Sequence, residues 1–194
     1  MALDVSPPAY PLQYEGKLLL KDGREVLLRP IKASDGDLIV DLFARISPQS
    51  LYQRFLRDIR SLPEEMLHHF THVDYMSEFA LVAVVKEQGR DALVAVGRYA
   101  RGRDDDPTDL GIAVRDDWQG LGLGKALLER TVSVAREHGI TRFGSMMDPR
   151  NTAMARILKD LGYEVKYDLR GGFYSVEVRV PPESGETRGL NCEE

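Results

Sequence analysis

Cysteine is almost missing from this chain: of 194 residues only Cys192 carries a thiol, and it stands in a polar tail. An intrachain disulfide and a thiolate metal cage are thereby excluded, and a cysteine nucleophile has little support. Long apolar runs are missing too. None approaches the roughly 20 residues of a membrane span, and the N-terminus shows no secretory signal pattern. Positive charge is in deficit, with 26 Lys and Arg against 31 Asp and Glu and a net charge of −5. The bulk field repels nucleic acid and anionic membranes, so neither is an expected partner. No internal repeat occurs. What is present is 43% hydrophobic residues, enough at this length for one domain with a sizeable core, and a cytoplasmic location is the expectation.

The order of elements follows from punctuation. Residues 1–14, with three prolines, read as a flexible arm, and residues 183–194 as a flexible tail, leaving 15–182 as a single domain. Asp22-Gly23 marks a hairpin closed by Pro30. Ser34 is placed to cap a helix through Arg45, Ser47-Pro48 to start a second, and Pro63 a third running to Phe70. Apolar strands are predicted over 79–86, 92–100 and 108–115, and Asp104-Asp105-Asp106 forms an acidic turn before the last. A helix ends at Gly139, a strand covers 142–147, and Asn151 caps a helix stopped by Gly162. Two strands then flank Gly171-Gly172. This order predicts an α/β (α+β) fold with a mixed, mostly antiparallel sheet and helices on both faces.

One stretch carries chemistry. The apolar run Leu110 to Val114 enters a loop with glycine at 120, 122 and 124, and an amphipathic helix leaves it. Glycines admit a ligand close to the backbone, and N–H groups at a helix start attract anions. The combination predicts a diphosphate cradle. It is not a Walker A loop, because Gln119 stands at the first glycine and Ala126 at the magnesium-binding hydroxyl. It is not a dinucleotide fingerprint either, since Lys125 occupies the third glycine.

The pattern Gln119-x-x-Gly122-x-Gly124 resembles the acyl-coenzyme A pyrophosphate loop of the GNAT N-acetyltransferase superfamily. The piece Asn151 to Tyr163 resembles that superfamily's last helix, and the likeness in element order extends from Arg24 to Val180. Three further segments, Ser47 to Phe55, Val73-Asp74-Tyr75 and Ala80 to Ala83, resemble the catalytic domain of bacterial protein lysine acetyltransferases acting on acyl-CoA synthetases.

This resemblance implies the GNAT fold, acetyl-CoA as co-substrate without a metal, and a primary amine as acceptor, with a protein lysine favoured. Carried over, Ile112, Ala113 and Val114 would bind the pantetheine arm through their backbone. Gln119, Gly120, Leu121, Gly122, Leu123, Gly124 and Lys125 would hold the pyrophosphate, with Asn151 and Met154 supporting the arm. Backbone N–H near Ala113 or Val114 would stabilise the oxyanion.

A lysine ammonium has a reference pKa of about 10.4 and must lose a proton before it attacks. The family's catalytic Glu matches Asp109, one methylene shorter, which implies contact through a water. Asp106 and Glu78 are backup bases. Leu158 stands where many relatives place a proton-donating Tyr, with Tyr163 and Tyr174 as alternatives. Arg98, Arg101 and Arg103 are expected to flank the entrance. His68 and His72 lack a third metal ligand and read as a solvated helix end, and Trp118 as a packing anchor. Two other functions fit the same motifs: transfer to a small amine or antibiotic, and acyl-CoA sensing without catalysis.

Overall fold

A computed structural model describes residues 8–102 and 106–181. Arg103, Asp104, Asp105 and the tail with Cys192 lie outside the described residues. Eight strands form one sheet in the order β1-β2-β3-β4-β5-β6-β8-β7. They are β1 (Gly16–Leu19), β2 (Glu25–Pro30), β3 (Glu78–Glu87), β4 (Arg90–Ala100), β5 (Thr108–Val114), β6 (Arg142–Met147), β7 (Glu164–Arg170) and β8 (Phe173–Arg179). Every neighbouring pair is antiparallel except β5 with β6.

Helices α1 (Gly36–Ala44), α2 (Pro48–Phe55) and α3 (Glu64–Thr71) lie between β2 and β3 in sequence; α4 (Leu123–Glu137) joins β5 to β6, and α5 (Thr152–Asp160) follows β6. The two-residue alternation of β3 sorts them, because successive side chains leave opposite faces of a strand. Ala80, Val82 and Val84 share an apolar cluster with Ile39 and Leu42 of α1 and Leu51 of α2. Phe79, Leu81 and Ala83 share the other with Leu127 and Leu128 of α4 and Leu158 of α5. The mixed sheet with helices on both faces is the expected fold. Gly97 of β4 lets α4 settle closely: a Cβ there would stand 2.8 Å from Thr131 Oγ1 and 3.0 Å from Leu127 Cγ.

Local details depart from the sequence reading in two places. Ser34 does not cap α1; it lies in a 3-10 turn, and the side chain of Asp35 accepts from the Lys32 N–H instead. Asp35 is held by a buried, two-pronged pair with Arg29 at 2.7 and 2.8 Å. Burial makes that pairing necessary, since a lone carboxylate there would be strongly disfavoured. The described part of the expected arm is also docked. Tyr14 packs edge-on to Phe79 at 5.4 Å and donates to Glu137, and Tyr10 packs on Tyr75. Aromatic area packed against the sheet outweighs the absence of regular periodicity.

Candidate active site

The parallel pair β5 and β6 opens almost as soon as it forms. Thr108 faces Phe143 and Asp109 faces Gly144, and no further pair is made. Both strands nevertheless continue, β5 along β4 as far as Val114 and β6 along β8 as far as Met147. The backbone of 110–114 therefore presents a free edge inside the sheet, a wedge with Asp109 at its apex. Unpaired strand groups of this kind accept an extended amide-bearing chain as an added strand. The wedge opens into a cavity of about 500 Å³ whose walls include Ile112, Ala113 and Val114 on one side and Ser145, Met146 and Met147 on the other.

The wide end of the wedge is closed by the glycine loop. Gly120 and Gly122 take φ of +75° and +90°, a left-handed conformation that a side chain disfavours. Gly122 is the N-cap of α4 and offers no side-chain acceptor, and the first turn of α4 contains no acidic residue. The N–H groups that start this helix are thus left for an outside acceptor, at the positive end of a 15-residue dipole. Gln119, Gly120, Gly122, Gly124 and Lys125 all line the cavity. Leu121 and Leu123 do not; Leu123 is fully buried in the core, so only its backbone is free to serve. Asn151 and Met154 line the far wall, where the Asn151 side chain caps α5 by accepting from the Met154 N–H at 3.1 Å.

Two side chains clamp the loop. The Gln119 amide donates to the Val114 carbonyl at 3.0 Å and to Ser50 Oγ at 3.2 Å. Asp116 accepts from Ser47 N–H and from the hydroxyls of Ser47 and Ser50, so the start of α2 is tied to the loop. Those donors hold the Asp116 carboxyl below its usual range despite the opposing effect of burial. As a result α2 overhangs the wedge, and Ser50, Gln53 and Arg54 join its lining. Lys21, from the β1–β2 hairpin, lines it too and lies beside Gly122. Sequence reading missed Lys21 and the role of α2. A lone Lys in a hairpin and a polar helix face carry no signal of their own until the fold brings them to the loop.

The remaining predicted residues fall elsewhere. Asp109 is exposed at the apex and is not part of the cavity wall. Glu78 is already engaged, with Arg98 at 2.9 Å and His69 at 3.6 Å, and Asp106 is exposed in a bend. Arg98 and Arg101 do not flank the cavity: the first is buried against Glu78 and Phe70, and the second donates to the His138 carbonyl. Local acidic neighbours suggested an entrance, but Glu78 takes up Arg98 outside the cavity wall, and Arg101 follows the end of β4. Tyr163 lines a separate cavity of about 350 Å³ with Glu129 and Arg136, and burial pushes its hydroxyl pKa up. Tyr174 packs on Tyr167 at 5.5 Å. Leu158 is buried. The rings of His68 and His72 stack at 3.8 Å, and among the described residues no group of three His, Cys, Asp or Glu could hold a metal. Trp118 is buried in the core with Arg24 over its ring.

A splayed parallel pair, a glycine loop after the first strand and an unfilled helix start define an acyl-CoA-dependent transferase fold. The family described as an acetyltransferase (GNAT) domain matches residues 25–164, and the chain belongs to it. An acetyltransferase of Pseudomonas aeruginosa, PA5475, is 33% identical over 144 residues, covering 74% of this chain and 77% of that protein. Acetyltransferase Pat of Mycolicibacterium smegmatis is 30% identical over 165 residues, covering 84% of this chain but only 48% of its own length. The chain therefore spans about half of that relative. The crystal structure of the GNAT domain of S. lividans PAT superposes with a TM-score of 0.79 at 30% identity, covering 89% of this chain and all of that one. The chain is an acetyl-CoA-dependent acetyltransferase of this family.

Proposed function

We propose that the chain transfers an acetyl group from acetyl-CoA to the side-chain amine of a protein lysine. The wedge between β5 and β6 carries this reading, since it runs from the free N–H groups of α4 to an exposed carboxylate at Asp109. Residues 112–114 would hold the pantetheine amides by strand addition, and the amides of 119–125 would take the pyrophosphate. When bound, acetyl-CoA supplies a thioester carbonyl activated toward amines. Asp109 accepts the proton that the ammonium must lose, through a water where its short side chain does not reach. The amine nitrogen then bonds to the carbonyl carbon as the carbon–sulfur bond breaks, and the leaving thiolate takes up the second proton that the nitrogen releases. A thiol has a reference pKa near 8.5, so the leaving group needs little help, and the absence of a tyrosine at Leu158 is no obstacle.

A lysine acceptor is supported by the likeness to Pat domains at about 30% identity. The test is incubation with acetyl-CoA and candidate acyl-CoA synthetases, with thiol release followed and modified lysines mapped by mass spectrometry. Thiol release with a matching acetyl-lysine is the expected result. Release only with small amines would replace the acceptor, and tight acetyl-CoA binding with no release to any amine would favour a sensor.

A further inference from the structure

Arg54 occupies a position that the transfer chemistry above does not use. It reaches from α2 across β5, where Gly111 leaves room: a Cβ at 111 would stand 2.6 Å from Nη2 and 2.8 Å from Nε of Arg54. Among the described residues no carboxylate or other acceptor pairs with this guanidinium, although it is partly buried in the cavity wall. Burial pushes its pKa down; the charge of Asp109, on the same face of β5, pulls it back up without an ion pair, and Arg98 adds to the fall. Arg98 stands opposite Gly111 in the β4–β5 register. It is taken up by Glu78 and His69, yet its Nε is buried with no acceptor.

Two cations thus lie near the apex of the wedge, and Arg54, with only the Phe55 ring 5.2 Å away, has no acceptor among the described residues. A guanidinium withdrawn from water without an acceptor is costly, and its planar fork is matched by the two oxygens of a carboxylate. The pyrophosphate is not that anion, because its cradle follows Val114, at the opposite end of the free edge from Gly111. Gln53, on the same helix and in the same wall, has an amide that could donate as well, whereas the Ser50 hydroxyl is already given to Asp116.

We infer that Arg54 is a carboxylate-binding residue at the acyl end of the wedge, taking a carboxylate carried either by the acyl group or by the amine acceptor. The inference rests on the wedge being the acyl-CoA site, and its test separates the two. Acetyl-CoA and succinyl-CoA are titrated calorimetrically into the wild-type chain, Arg54→Lys and Arg54→Gln. A lysine peptide bearing a neighbouring carboxylate, and its amide, are then compared as acceptors at saturating acetyl-CoA. If the carboxylate is on the acyl group, Arg54→Gln weakens succinyl-CoA binding by about tenfold or more, as expected for a charge-assisted pair, and leaves acetyl-CoA within about threefold. If it is on the acceptor, the same variant raises KM about tenfold for the carboxylate peptide alone, and Arg54→Lys recovers part of that loss. Equal effects with and without the carboxylate in both arms, while acetyl-CoA still binds, overturn the role of Arg54. No heat with acetyl-CoA for the wild-type chain overturns the wedge assignment itself.

Discussion

At the scale of single residues, the proposed mechanism assigns the main chemical role to Asp109. Its place at the last paired position of β5 and β6 sets an exposed carboxylate at the end of the free strand edge. If it accepts the amine proton, Asp109→Asn lowers kcat by about 10²- to 10⁴-fold, the usual range for a positioned base. The affinity for acetyl-CoA, measured by calorimetry, stays unchanged in the same variant, and Asp109→Glu restores a large part of the rate. A kcat that survives Asp109→Asn would transfer the role to another group. Asp109 could be named as the candidate base from the sequence because it keeps a fixed distance from a glycine loop that is itself recognisable. Arg54 could not, since its meaning depends on Gly111 in another strand, and no local pattern joins the two.

At the level of elements, the loop is held by what α2 and β5 give it. Asp116 ties the first turn of α2 to the loop through Ser47 and Ser50, and Gln119 closes the end of β5 by donating to Val114. Asp116→Ala removes three acceptor contacts from an exposed site. Its expected effect is a loss of about 1 kcal/mol, a modest drop in Tm seen by circular dichroism. Acetyl-CoA affinity should fall more than that stability loss suggests, because the loop loses its fixed shape. Undiminished affinity would mean that the loop is ordered without α2. Element positions were largely readable from caps and stops: Ser47 caps α2, Asn151 caps α5, and Gly139 and Gly162 follow helix ends with left-handed φ. The start of α1 was misread because a buried pair with Arg29 recruits Asp35, and pairing between distant residues leaves no trace in local spacing.

Across the whole molecule, a charged network fastens the loop base to the first helix and the sheet. Arg115 bonds Glu87 at 2.6 Å and Asp117 at 2.7 Å, while Arg45, just past α1, bonds Glu87 at 2.7 Å. The hydrogen bond from Arg115, and then that from Arg45, hold the Glu87 carboxyl down to about 2. An unfolded Glu titrates near 4.3, so the folded state binds this proton less readily. The resulting stability is present above about pH 4.5 and is lost as pH falls toward about 2. Glu87 is partly exposed and screened, which keeps the effect small. Tm measured between pH 7 and pH 3 should therefore fall less steeply in Glu87→Gln than in the wild-type chain, and identical slopes would remove Glu87 from the acid response. The wedge is also a property of the whole sheet, since β5 stays on β4 while β6 follows β8. Its glycine loop could be read from sequence, but its depth depends on the separate pairings of β5 with β4 and of β6 with β8, which no local pattern records. The most direct measurement is a crystal structure with acetyl-CoA bound. The pyrophosphate oxygens should lie within hydrogen-bond distance of the amides of 119–125, with pantetheine along 112–114. Acetyl-CoA seated away from that loop would contradict the account.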